Sequence, residues 1–421
     1  MAELEPGLKI DLTNGEKLKI LKEIGRGGQG IVYLSEYQGH NYALKWYTQK
    51  YSDDFYNNLK ENIQHGAPSK AFLWPLMLTT KQNGSFGYAM ELRKKDFFEF
   101  GDYLLAKVKF QSISAMIEAA LQICDGFYHL HLRGFSYQDI NDGNFFINPH
   151  TGDVLICDND NVTAQGQNTG ILGKARYMAS EIIAGQKPDK YSDYFSLAVI
   201  LFMLFYGNHP FEGKKVVSCP CMTEENERKH FGSEAIFILD KNDRTNLPVR
   251  GVHHNVIRRW PLFTKVLQDA FIEAFSQDLI KNPTQRMMES KWEKIIRQVR
   301  NQLVVCSSCE NETFAGSDFV STCINCGRPV EVKYRLHTND HGILALTPKK
   351  IVLLGKIKEP VAVVRVSKKN AEILAMQNLA QAKWIVETPD GKLKDINPTE
   401  FLPLEKGLKI YFTQHEKGEI I

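Results

Sequence analysis

Apolar and polar residues alternate along the first part of the chain, around a cluster of glycines. The alternation covers residues from about 17 to 46, as in Leu18-Lys19-Ile20 and Ile31-Val32-Tyr33, and is typical of half-buried strands. Further strand-like pieces follow Trp74 and end at Leu92. The pattern predicts a β-rich segment in which a glycine loop joins two strands.

Beyond Ser112 the apolar residues recur at spacings of three and four. This spacing predicts an amphipathic helix that ends near Arg133 and has Met116, Ala119, Ala120, Ile123 and Phe127 on its apolar face. The longest apolar stretch runs from Phe195 to Tyr206. Because it is shorter than the roughly 20 residues that span a bilayer, it predicts a buried helix and no membrane segment. A third helical region covers residues 261 to 300.

After Arg300 the pattern changes to a cysteine-rich segment, from 304 to 329, and then to short β-branched runs. Turn signals such as Pro389-Asp390-Gly391 separate these runs, as they do in all-β domains. Strands are predicted at 342–347, 351–354, 361–366, 383–386 and 408–412. The residues from Tyr334 onward therefore predict a small β-sandwich.

Length and composition favour a soluble enzyme of two or three domains. The chain has 421 residues, and its hydrophobic fraction of 43% and charged fraction of 24% are those of a globular protein. Its formal net charge of +3 gives no electrostatic reason to expect a nucleic-acid or membrane partner. The first residues lack a secretory signal and two Cys-x-x-Cys pairs are typical of a reducing compartment, so we expect a cytoplasmic protein.

The glycine cluster Gly25-Arg26-Gly27-Gly28-Gln29-Gly30-Ile31-Val32 has the spacing G-x-G-x-x-G-x-V. Alone this spacing is ambiguous, since plain hairpins and dinucleotide-binding folds also contain it. Here a strand-like run follows the glycines instead of a helix, and Lys45, in Tyr42-Ala43-Leu44-Lys45, stands fifteen residues past Gly30. A glycine hairpin over phosphates, followed by a lysine on a later strand, is the arrangement found in protein kinases.

Three polar residues follow in the order that phosphoryl transfer requires. Glu61 is the candidate carboxylate that fixes Lys45, and a solvated helix charge is the alternative interpretation. Asp139 and Asn144, in Tyr137-Gln138-Asp139-Ile140-Asn141-Asp142-Gly143-Asn144, match the spacing of the catalytic loop H-R-D-L-x-x-x-N. Asp139 would orient the acceptor hydroxyl and take its proton, and Asn144 would hold magnesium.

Asp158 is the candidate for the main magnesium ligand, fourteen residues past Asn144 in Leu155-Ile156-Cys157-Asp158-Asn159-Asp160. Magnesium prefers hard oxygen ligands, so a carboxylate and an amide at this spacing suit it. A turn rich in Asp and Asn without a metal is the alternative. Further along, Gly173–Glu181 resembles the end of an activation segment, in which Glu181 is predicted to pair with Arg286.

On these motifs, with Asp193 and Gly207–Phe211, residues from about 15 to 300 resemble a bacterial member of the eukaryotic-like serine/threonine protein kinase family. The resemblance implies a bilobal fold with ATP between a small lobe, about 15–92, and a large lobe, about 93–300. It also implies the residues around the adenine: Met90 as gatekeeper, the backbone of Glu91, Leu92 and Arg93 as the pairing edge, and Val32 and Ala43 as apolar neighbours.

Several positions depart from the family pattern. Tyr137-Gln138 replaces His-Arg, so we expect activity that does not need a phosphorylated activation loop. Asn141 and Lys174 stand where serine/threonine kinases usually have a lysine and a threonine, and Asn159-Asp160 replaces Phe-Gly, which predicts a segment held in one state. A pseudokinase scaffold that binds nucleotide and partners without transferring phosphate is the alternative function. The retained phosphate, metal and acceptor groups favour the enzyme.

Four cysteines form two Cys-x-x-Cys pairs separated by thirteen residues: Cys306, Cys309, Cys323 and Cys326. Thiolates at this spacing suit tetrahedral zinc and predict a zinc ribbon, with two disulfides or a redox site as alternatives. Cys219, Cys221 and His230 lie in a polar, irregular stretch at 212–258 that predicts a surface insertion, although another metal site is an alternative there. Cys124 and Cys157 fit core positions.

Parts of the tail resemble a forkhead-associated domain, a fold that binds phosphothreonine peptides. Trp384–Val386 and Leu404–Ile410 resemble its late strands, and Val366–Ala371 resembles its ligand loop. The Asn-Gly-Thr element and the arginine-bearing loop of that family are not convincingly present. We therefore expect a degenerate version that docks proteins.

The sequence thus predicts an α+β protein with a kinase domain at 1–300, a zinc ribbon at 301–332 and an all-β, forkhead-associated-like sandwich at 333–421. This order is similar to the kinase of the bacterial tellurium-resistance-associated phosphorylation triad. That resemblance implies a von Willebrand A-type protein as substrate and an opposing metal-dependent phosphatase. The expected cofactors are ATP, Mg²⁺ and a structural Zn²⁺, with no nucleic-acid or membrane partner.

Overall fold

The computed structural model describes residues 3–82, 84–167, 173–316, 320–339, 342–354, 359–367, 370 and 372–421. Contacts divide the chain into two compact units. The first consists of Met1–Gln111, Glu118–His253 and Ile272–Ser290, and the second of Ser112–Ile117, His254–Phe271 and Lys291–Ile421. The predicted domain boundaries near 300 and 332 remain predictions. Within the described ranges, no helix has both the length and the apolar character needed to cross a bilayer.

The first unit begins with a six-stranded sheet in the order β1-β2-β3-β4-β6-β5. Its strands are β1 (Lys9–Asp11), β2 (Lys17–Arg26), β3 (Gly30–Tyr37), β4 (His40–Tyr47), β5 (Met77–Leu78) and β6 (Gly87–Glu91), with helix α1 (Asp53–His65) between β4 and β5. The antiparallel register places Val32 opposite Lys45 and Ala43 opposite Met90. The predicted β-rich start is confirmed, and its pairing gathers residues that the sequence singles out.

Apolar clusters lie on both faces of this sheet, whereas the alternation predicts strands that are buried on one face only. One cluster contains Ile10, Leu18, Ile20, Ile31, Tyr33, Leu44 and Trp46. The other contains Ala43, Tyr47, Phe55, Leu59, Phe86, Tyr88 and Met90, and so includes the buried side of α1. Helix α1 begins at Ser52, whose hydroxyl accepts a hydrogen bond from the Phe55 backbone N–H at 3.2 Å.

Helices dominate the chain from residue 100 to residue 302. They are α2 (Phe100–Leu104), α3 (Ile113–Leu132), α4 (Ser180–Ile183), α5 (Lys190–Tyr206), α6 (Lys214–Val217), α7 (Glu224–Arg228), α8 (His254–Arg259), α9 (Lys265–Ala274), α10 (Gln277–Lys281) and α11 (Glu289–Gln302). Short strands lie among them: β7 (Phe98–Glu99), β8 (Phe135–Ser136), β9 (Phe145–Ile147), β10 (Val154–Ile156) and β11 (Thr163–Ala164). The bilobal division expected from the sequence, a β-rich part followed by a helical part, is confirmed.

Helix α5 is the buried helix that the longest apolar stretch predicts. All residues from Ser192 to Tyr206 are buried. Its first turn has a capping box, because the Asp189 side chain accepts from the backbone of Ser192 while the Ser192 hydroxyl accepts from the Asp189 N–H. Gly207 ends the helix in a left-handed conformation, with φ of 66°.

The stretch at 212–258 is only partly the surface insertion that the sequence predicts. Cys221 is exposed, but Phe231, Phe237 and Ile238 are buried. The Phe237 ring lies 5.4 Å from the Phe202 ring of α5, between centroids. The prediction was wrong for these apolar residues because the polar residues around them hide their periodicity.

The second unit contains two small hairpins and a two-sheet sandwich. The hairpins pair β12 (Leu303–Val305) with β13 (Glu312–Phe314) and β14 (Val320–Thr322) with β15 (Pro329–Glu331). The sandwich contains β16 (Tyr334–Thr338), β17 (Gly342–Leu346), β18 (Ile351–Val352), β19 (Ala362–Val366), β20 (Leu374–Asn378), β21 (Trp384–Glu387), β22 (Leu393–Ile396), β23 (Phe401–Pro403), β24 (Lys409–Tyr411) and β25 (Lys417–Ile420).

Two sheets of the sandwich share one apolar core. Their strand orders are β17-β16-β25-β24-β21-β22 and β18-β19-β20-β23. The core is formed by alternate residues of both sheets, among them Leu336, Leu344, Val364, Met376, Trp384 and Ile410. The predicted all-β tail is confirmed. Of the predicted ligand loop, Lys368, Lys369 and Ala371 lie outside the described residues.

A buried lysine of the tail caps the end of helix α11 within the second unit. The Lys350 ammonium donates to the carbonyl oxygens of Arg300 at 3.0 Å, Asn301 at 3.2 Å and Leu303 at 2.5 Å. Lys350 is only 8% exposed. Burial lowers the pKa of Lys350 to about 7, and its amino group satisfies carbonyl oxygens that have no partner within the helix.

Candidate active site

The glycine cluster forms the tip of the β2–β3 hairpin. The Gly27 N–H donates to the Gly30 carbonyl at 2.9 Å and closes the turn. A Cβ at Gly30 would lie 2.3 Å from the Trp46 carbonyl oxygen, so the close approach of β4 requires glycine there. Gly28 faces open space, where a Cβ would meet nothing within 4 Å. The hairpin tip therefore leaves room for a ligand close to backbone N–H groups.

Arg26 differs from the other residues of the hairpin. Its guanidinium pairs with Glu23 at 2.9 Å and with Glu3 at 2.8 Å. These carboxylates engage the Arg26 side chain, so the nucleotide contact of Arg26 stays a prediction and would have to use its backbone.

Most of the residues expected around an adenine lie in one apolar cluster. The buried members of this cluster include Ala43, Met90 and Cys157. Half-buried residues that pack against them include Val32, Leu92 and Phe146. Glu91 and Arg93, at the end of β6 and just beyond it, are exposed, and the Arg93 guanidinium lies 4.5 Å from the centre of the Phe146 ring. This cluster can hold a flat apolar ring system next to the glycine hairpin.

Lys45 lies in the middle of a polar group below the hairpin. It is 5% exposed, and its ammonium donates to Gln29 Oε1 at 3.0 Å, Asp158 Oδ1 at 3.2 Å and Asp160 Oδ2 at 2.8 Å. Burial disfavours its charge, but the negative charges of Asp160 and Asp158 raise the pKa of Lys45 above its ordinary value. Lys45 is therefore a fixed cation.

The structure does not bring Glu61 to Lys45. Glu61 is exposed on α1, whereas the buried side of that helix carries Phe55, Leu59 and Asn62. The prediction that Glu61 fixes Lys45 is wrong, and the alternative of a solvated helix charge is the one the structure shows. Asp158 and Asp160 supply the carboxylates instead.

Asp139 is held in the catalytic loop by two asparagines. Asn141 Nδ2 donates to Asp139 Oδ1 at 2.9 Å, and Asn144 Nδ2 donates to the Asp139 carbonyl at 2.8 Å. Burial raises the pKa of Asp139 to about 6, although the hydrogen bond from Asn141 favours the charged form. A carboxylate with a pKa near neutrality is suited to accept a proton during catalysis.

A small sheet places Asn144 beside Asp158. Asn144 precedes β9 and Asp158 follows β10, and these strands pair antiparallel with Phe145 opposite Ile156. The Cys157 N–H donates to the Asn144 carbonyl at 2.9 Å. The Asp158 side chain is 40% exposed and has a left-handed backbone, with φ of 54°. An accessible carboxylate and an amide oxygen form a donor set that fits Mg²⁺.

Asp193 of α5 fixes the backbone at the start of the catalytic loop. Its Oδ2 accepts from the Tyr137 N–H at 2.7 Å and its Oδ1 from the Gln138 N–H at 3.0 Å. The imidazole of His131 lies between two carboxylates: its Nε2 is 3.0 Å from Asp193 Oδ2, and its Nδ1 contacts Glu289 Oε1. Burial opposes its charge, but the hydrogen bonds to Asp193 and Glu289 raise the pKa of His131 to about 9.

Gln138 replaces the arginine of the family pattern and has its own contacts. Its amide donates to Ser136 Oγ at 3.0 Å, Thr163 Oγ1 at 2.6 Å and the Gln167 carbonyl at 2.8 Å. Its backbone is left-handed, with φ of 69°. Neutral hydrogen bonds therefore connect the catalytic loop to β11 and the residues after it.

The described end of the activation-like segment packs on the catalytic loop. A Cβ at Gly173 would lie 3.1 Å from Asp139 Oδ1. The ammonium of the next residue, Lys174, donates to Asn141 Oδ1 at 3.0 Å and lies 3.4 Å from Asp142 Oδ1. Lys174, Asn141 and Asp139 thus form a chain of hydrogen bonds.

The predicted pair between Glu181 and Arg286 is confirmed. Two parallel bonds join the guanidinium and the carboxylate at 2.6 and 2.7 Å, and the Arg286 side chain is 3% exposed. A bidentate pair of this kind fixes the end of the segment to the helical part of the same unit.

The second unit brings together the four predicted zinc ligands. The sulfur atoms of Cys306, Cys309, Cys323 and Cys326 all lie within 4.8 Å of one another. Cys306 and Cys326 are 3.8 Å apart and Cys309 and Cys323 are 3.7 Å apart, between sulfur atoms. Four sulfurs at ~2.3 Å from a tetrahedral zinc would be about 3.8 Å apart, so the geometry fits zinc and not disulfides.

The sequence did not single out Asp160 as a partner of Lys45, nor Tyr47, whose hydroxyl donates to Asp160. In the sequence, Asp160 stands out only because it replaces the glycine of the family's Phe-Gly pair. One signal could have found it, because a carboxylate in a segment expected to be buried needs a cation, and Lys45 is expected nearby.

Comparisons with known proteins agree with this geometry. Residues 18–298 match the family described as protein kinase domain. Protein kinase C delta type from Mus musculus is 28% identical over 211 residues, 47% of this chain and 30% of the relative. Serine/threonine-protein kinase PrkC from Bacillus subtilis (strain 168) is 26% identical over 212 residues, 48% of this chain and 32% of the relative. The chain thus matches about a third of the length of these relatives.

Proposed function

Because the chain belongs to the protein kinase domain family, we propose that it transfers the γ-phosphate of ATP to serine or threonine hydroxyls of a protein. The main support for this proposal is that one unit brings together four polar residues near a glycine hairpin: Lys45, Asp139, Asn144 and Asp158.

Each residue has a role in the proposed reaction. Asp139 accepts the proton of the acceptor hydroxyl as its oxygen attacks the γ-phosphorus, and the bond to the β–γ bridging oxygen breaks to release ADP. Asp158 and Asn144 would hold Mg²⁺, which would neutralise charge on the phosphates. Lys45 places a fixed positive charge beside the phosphates, and the Gly27–Gly30 hairpin covers them.

The proposal includes activity without a phosphorylated activation loop. Gln138 is uncharged and already bonded to Ser136, Thr163 and Gln167, so the loop contact that usually requires a phosphate is made by neutral groups. The proposed preference for serine and threonine is supported by the similarity to PrkC of Bacillus subtilis, which is named a serine/threonine-protein kinase.

The tail is proposed to contain a structural zinc ribbon and a protein-docking sandwich. The spacing of the sulfur atoms supports zinc. The likeness to forkhead-associated domains and to the tellurium-resistance triad supports, as a proposal, a von Willebrand A-type substrate and an opposing metal-dependent phosphatase. A cytoplasmic site of action belongs to the same proposal, since Cys-x-x-Cys pairs hold metal in reducing compartments.

The test is incorporation of labelled phosphate from ATP with Mg²⁺ into the chain itself and into a von Willebrand A-type protein. We expect incorporation by the native chain and a loss of at least about a hundredfold in Asp139→Asn and Asp158→Asn, because one removes the base and the other a metal ligand. Asp125→Asn, a matched change at an exposed position of α3, should keep the native rate.

Binding of ATP by the native chain without incorporation into either protein would favour the scaffold. Incorporation into the chain alone would retain the kinase and remove the proposed partner. Phosphoamino-acid analysis of the product decides the preference between serine, threonine and tyrosine.

A further inference from the structure

Lys45 contacts two carboxylates that differ in their surroundings. The Asp158 side chain is 40% exposed, whereas that of Asp160 is 1% exposed. The shorter contact is to Asp160, at 2.8 Å against 3.2 Å. The buried carboxylate is therefore the closer and the more desolvated partner of the lysine.

Asp160 is itself held in place by an aromatic side chain. Its Oδ2 also accepts from the hydroxyl of Tyr47, which is fully buried two residues after Lys45. The Tyr47 ring packs between Tyr51, Phe55 and Phe86, with centroids 4.7, 5.4 and 5.1 Å away. Neither Asp160 nor Tyr47 has freedom to move independently of this cluster.

Helix α1 reaches the same turn without using a glutamate. Asn58 and Asn62 both donate to the Val162 carbonyl at 2.8 Å, two residues past Asp160. The turn Asn159–Asn161 is buried, and Asn159 donates to the Leu73 carbonyl at 2.8 Å. The helix therefore fixes the turn, and the turn presents Asp160 to the lysine.

We propose that Asp160 is the positioning residue of Lys45, holding its ammonium where the phosphates of ATP bind, in place of a glutamate from helix α1. The inference rests on the proposed function, because it assigns Lys45 to phosphate binding. Lys45 would keep Asp160 as a partner if Asp158 held a metal ion in place of its contact with Lys45.

The test measures equilibrium affinity, by calorimetry with Mg²⁺, for ATP and for adenosine. Asp160→Asn keeps the shape of the side chain and removes its charge. We expect about a tenfold loss of ATP affinity, with adenosine affinity within twofold of native, because adenosine has no phosphate for Lys45 to contact. Tyr47→Phe, which removes one hydrogen bond and keeps the ring, should show a smaller loss in the same direction. Asp54→Asn, exposed on α1, is the matched control.

A double-mutant cycle separates positioning from general destabilisation. If Asp160 acts through Lys45, the pair Lys45→Met and Asp160→Asn should bind ATP no more weakly than Lys45→Met alone. Additive losses, or equal losses for ATP and adenosine, would overturn the proposal. So would a loss of ATP affinity in Glu61→Gln that Asp160→Asn does not show.

The affinity measurements can be interpreted whether or not the chain proves to be an active kinase. Should the native chain bind ATP and transfer no phosphate, kinase activity fails while the affinities still decide the role of Asp160. If Asp160→Asn does not fold, Tyr47→Phe and the conservative variant Asp160→Glu take its place. Asp160→Glu keeps the charge and should retain ATP affinity better than Asp160→Asn. The proposal would be overturned if Tyr47→Phe bound ATP with native affinity and Asp160→Glu lost equal affinity for ATP and for adenosine.

Discussion

At the scale of single residues, charge in a buried position is the most informative feature of this molecule. His131 is a buried cation between Asp193 and Glu289, and Lys45 is a buried cation between Asp158 and Asp160. Unpaired buried charges are costly, so each of these groups binds its neighbours into a fixed arrangement.

His131 predicts a dependence of stability on pH. Its pKa of about 9 in the folded chain exceeds the ~6.5 of an unfolded histidine, so the stabilisation is complete below about pH 6.5 and is lost as the pH rises through about 9. Urea unfolding should show the free energy of unfolding falling across this window, by on the order of 3 kcal/mol.

The matched variants for this prediction are His131→Asn and His150→Asn. His150 is exposed and should keep the native pH dependence, whereas His131→Asn should flatten it. A native-like slope in His131→Asn would contradict the assignment. Titration of the native histidines by NMR gives a second reading if His131→Asn does not fold.

Lys174 predicts a kinetic effect. Its ammonium is bonded to Asn141, which holds Asp139, so it places a positive charge beside the acceptor site. Lys174→Met should lower kcat about tenfold, which corresponds to a rise of ~1.4 kcal/mol in the activation free energy. The KM for ATP should change little, and Lys174→Arg should retain more activity than Lys174→Met. Lys187→Met, at an exposed position, serves as control. Equal rates in both methionine variants would refute the role.

Residues that carry chemistry at fixed spacing could be predicted from the sequence, as Glu181 and Arg286 show by forming their expected pair. The partner of Lys45 could not. Spacing indicates which residues lie near a site, but the rotation of α1 decides which side chains face inward, and Glu61 faces outward. That rotation follows from packing of Phe55 and Leu59, which is a tertiary property.

At the scale of elements, the ends of the buried helix α5 are specified locally. Asp189→Ala removes a side chain that accepts from two backbone N–H groups at the start of this helix. The free energy of unfolding should fall by about 1 kcal/mol, with 0.5 to 2 as the usual range. Thermal unfolding of Asp189→Ala beside Asp125→Ala measures the effect, and a loss no larger than that of the control would contradict it.

Strands were predicted well where β-branched residues dominate and poorly elsewhere. Predicted strands near Ile351 and Val361 are present, but β20 (Leu374–Asn378) and β22 (Leu393–Ile396) were missed. Strand β22 is only four residues long, has the charged residues Lys394 and Asp395 at its centre, and buries only Ile396. Pairing with β21 creates this strand, and pairing is not visible in local composition.

At the scale of the whole molecule, the cysteine cluster predicts one bound metal per chain. Elemental analysis should give about one zinc for the native chain and a large loss in Cys306→Ser and Cys323→Ser, because both residues are among the four ligands. Cys219→Ser should retain the metal, since Cys219 lies outside the cluster. Two zinc ions per native chain would instead support the alternative site around Cys219 and Cys221.

Removal of zinc should also lower the stability of the second unit. The ribbon core is small and contains Cys306 and Cys323 themselves, with Val304, Val330 and Val332. A chelator should therefore shift a thermal transition of the native chain downwards and leave the transition of Cys306→Ser unchanged. An unshifted transition in the native chain after loss of zinc would contradict a structural role for the metal.

The lysine that caps α11 bears on how this gene can evolve. Helix α11 begins inside the stretch that matches the kinase family and ends four residues beyond it, yet the lysine at its end, Lys350, comes from the sandwich. A recombination event that exchanged the tail would withdraw this donor from the carbonyls of Arg300, Asn301 and Leu303. We therefore expect the last turn of α11 and the sandwich to be inherited together.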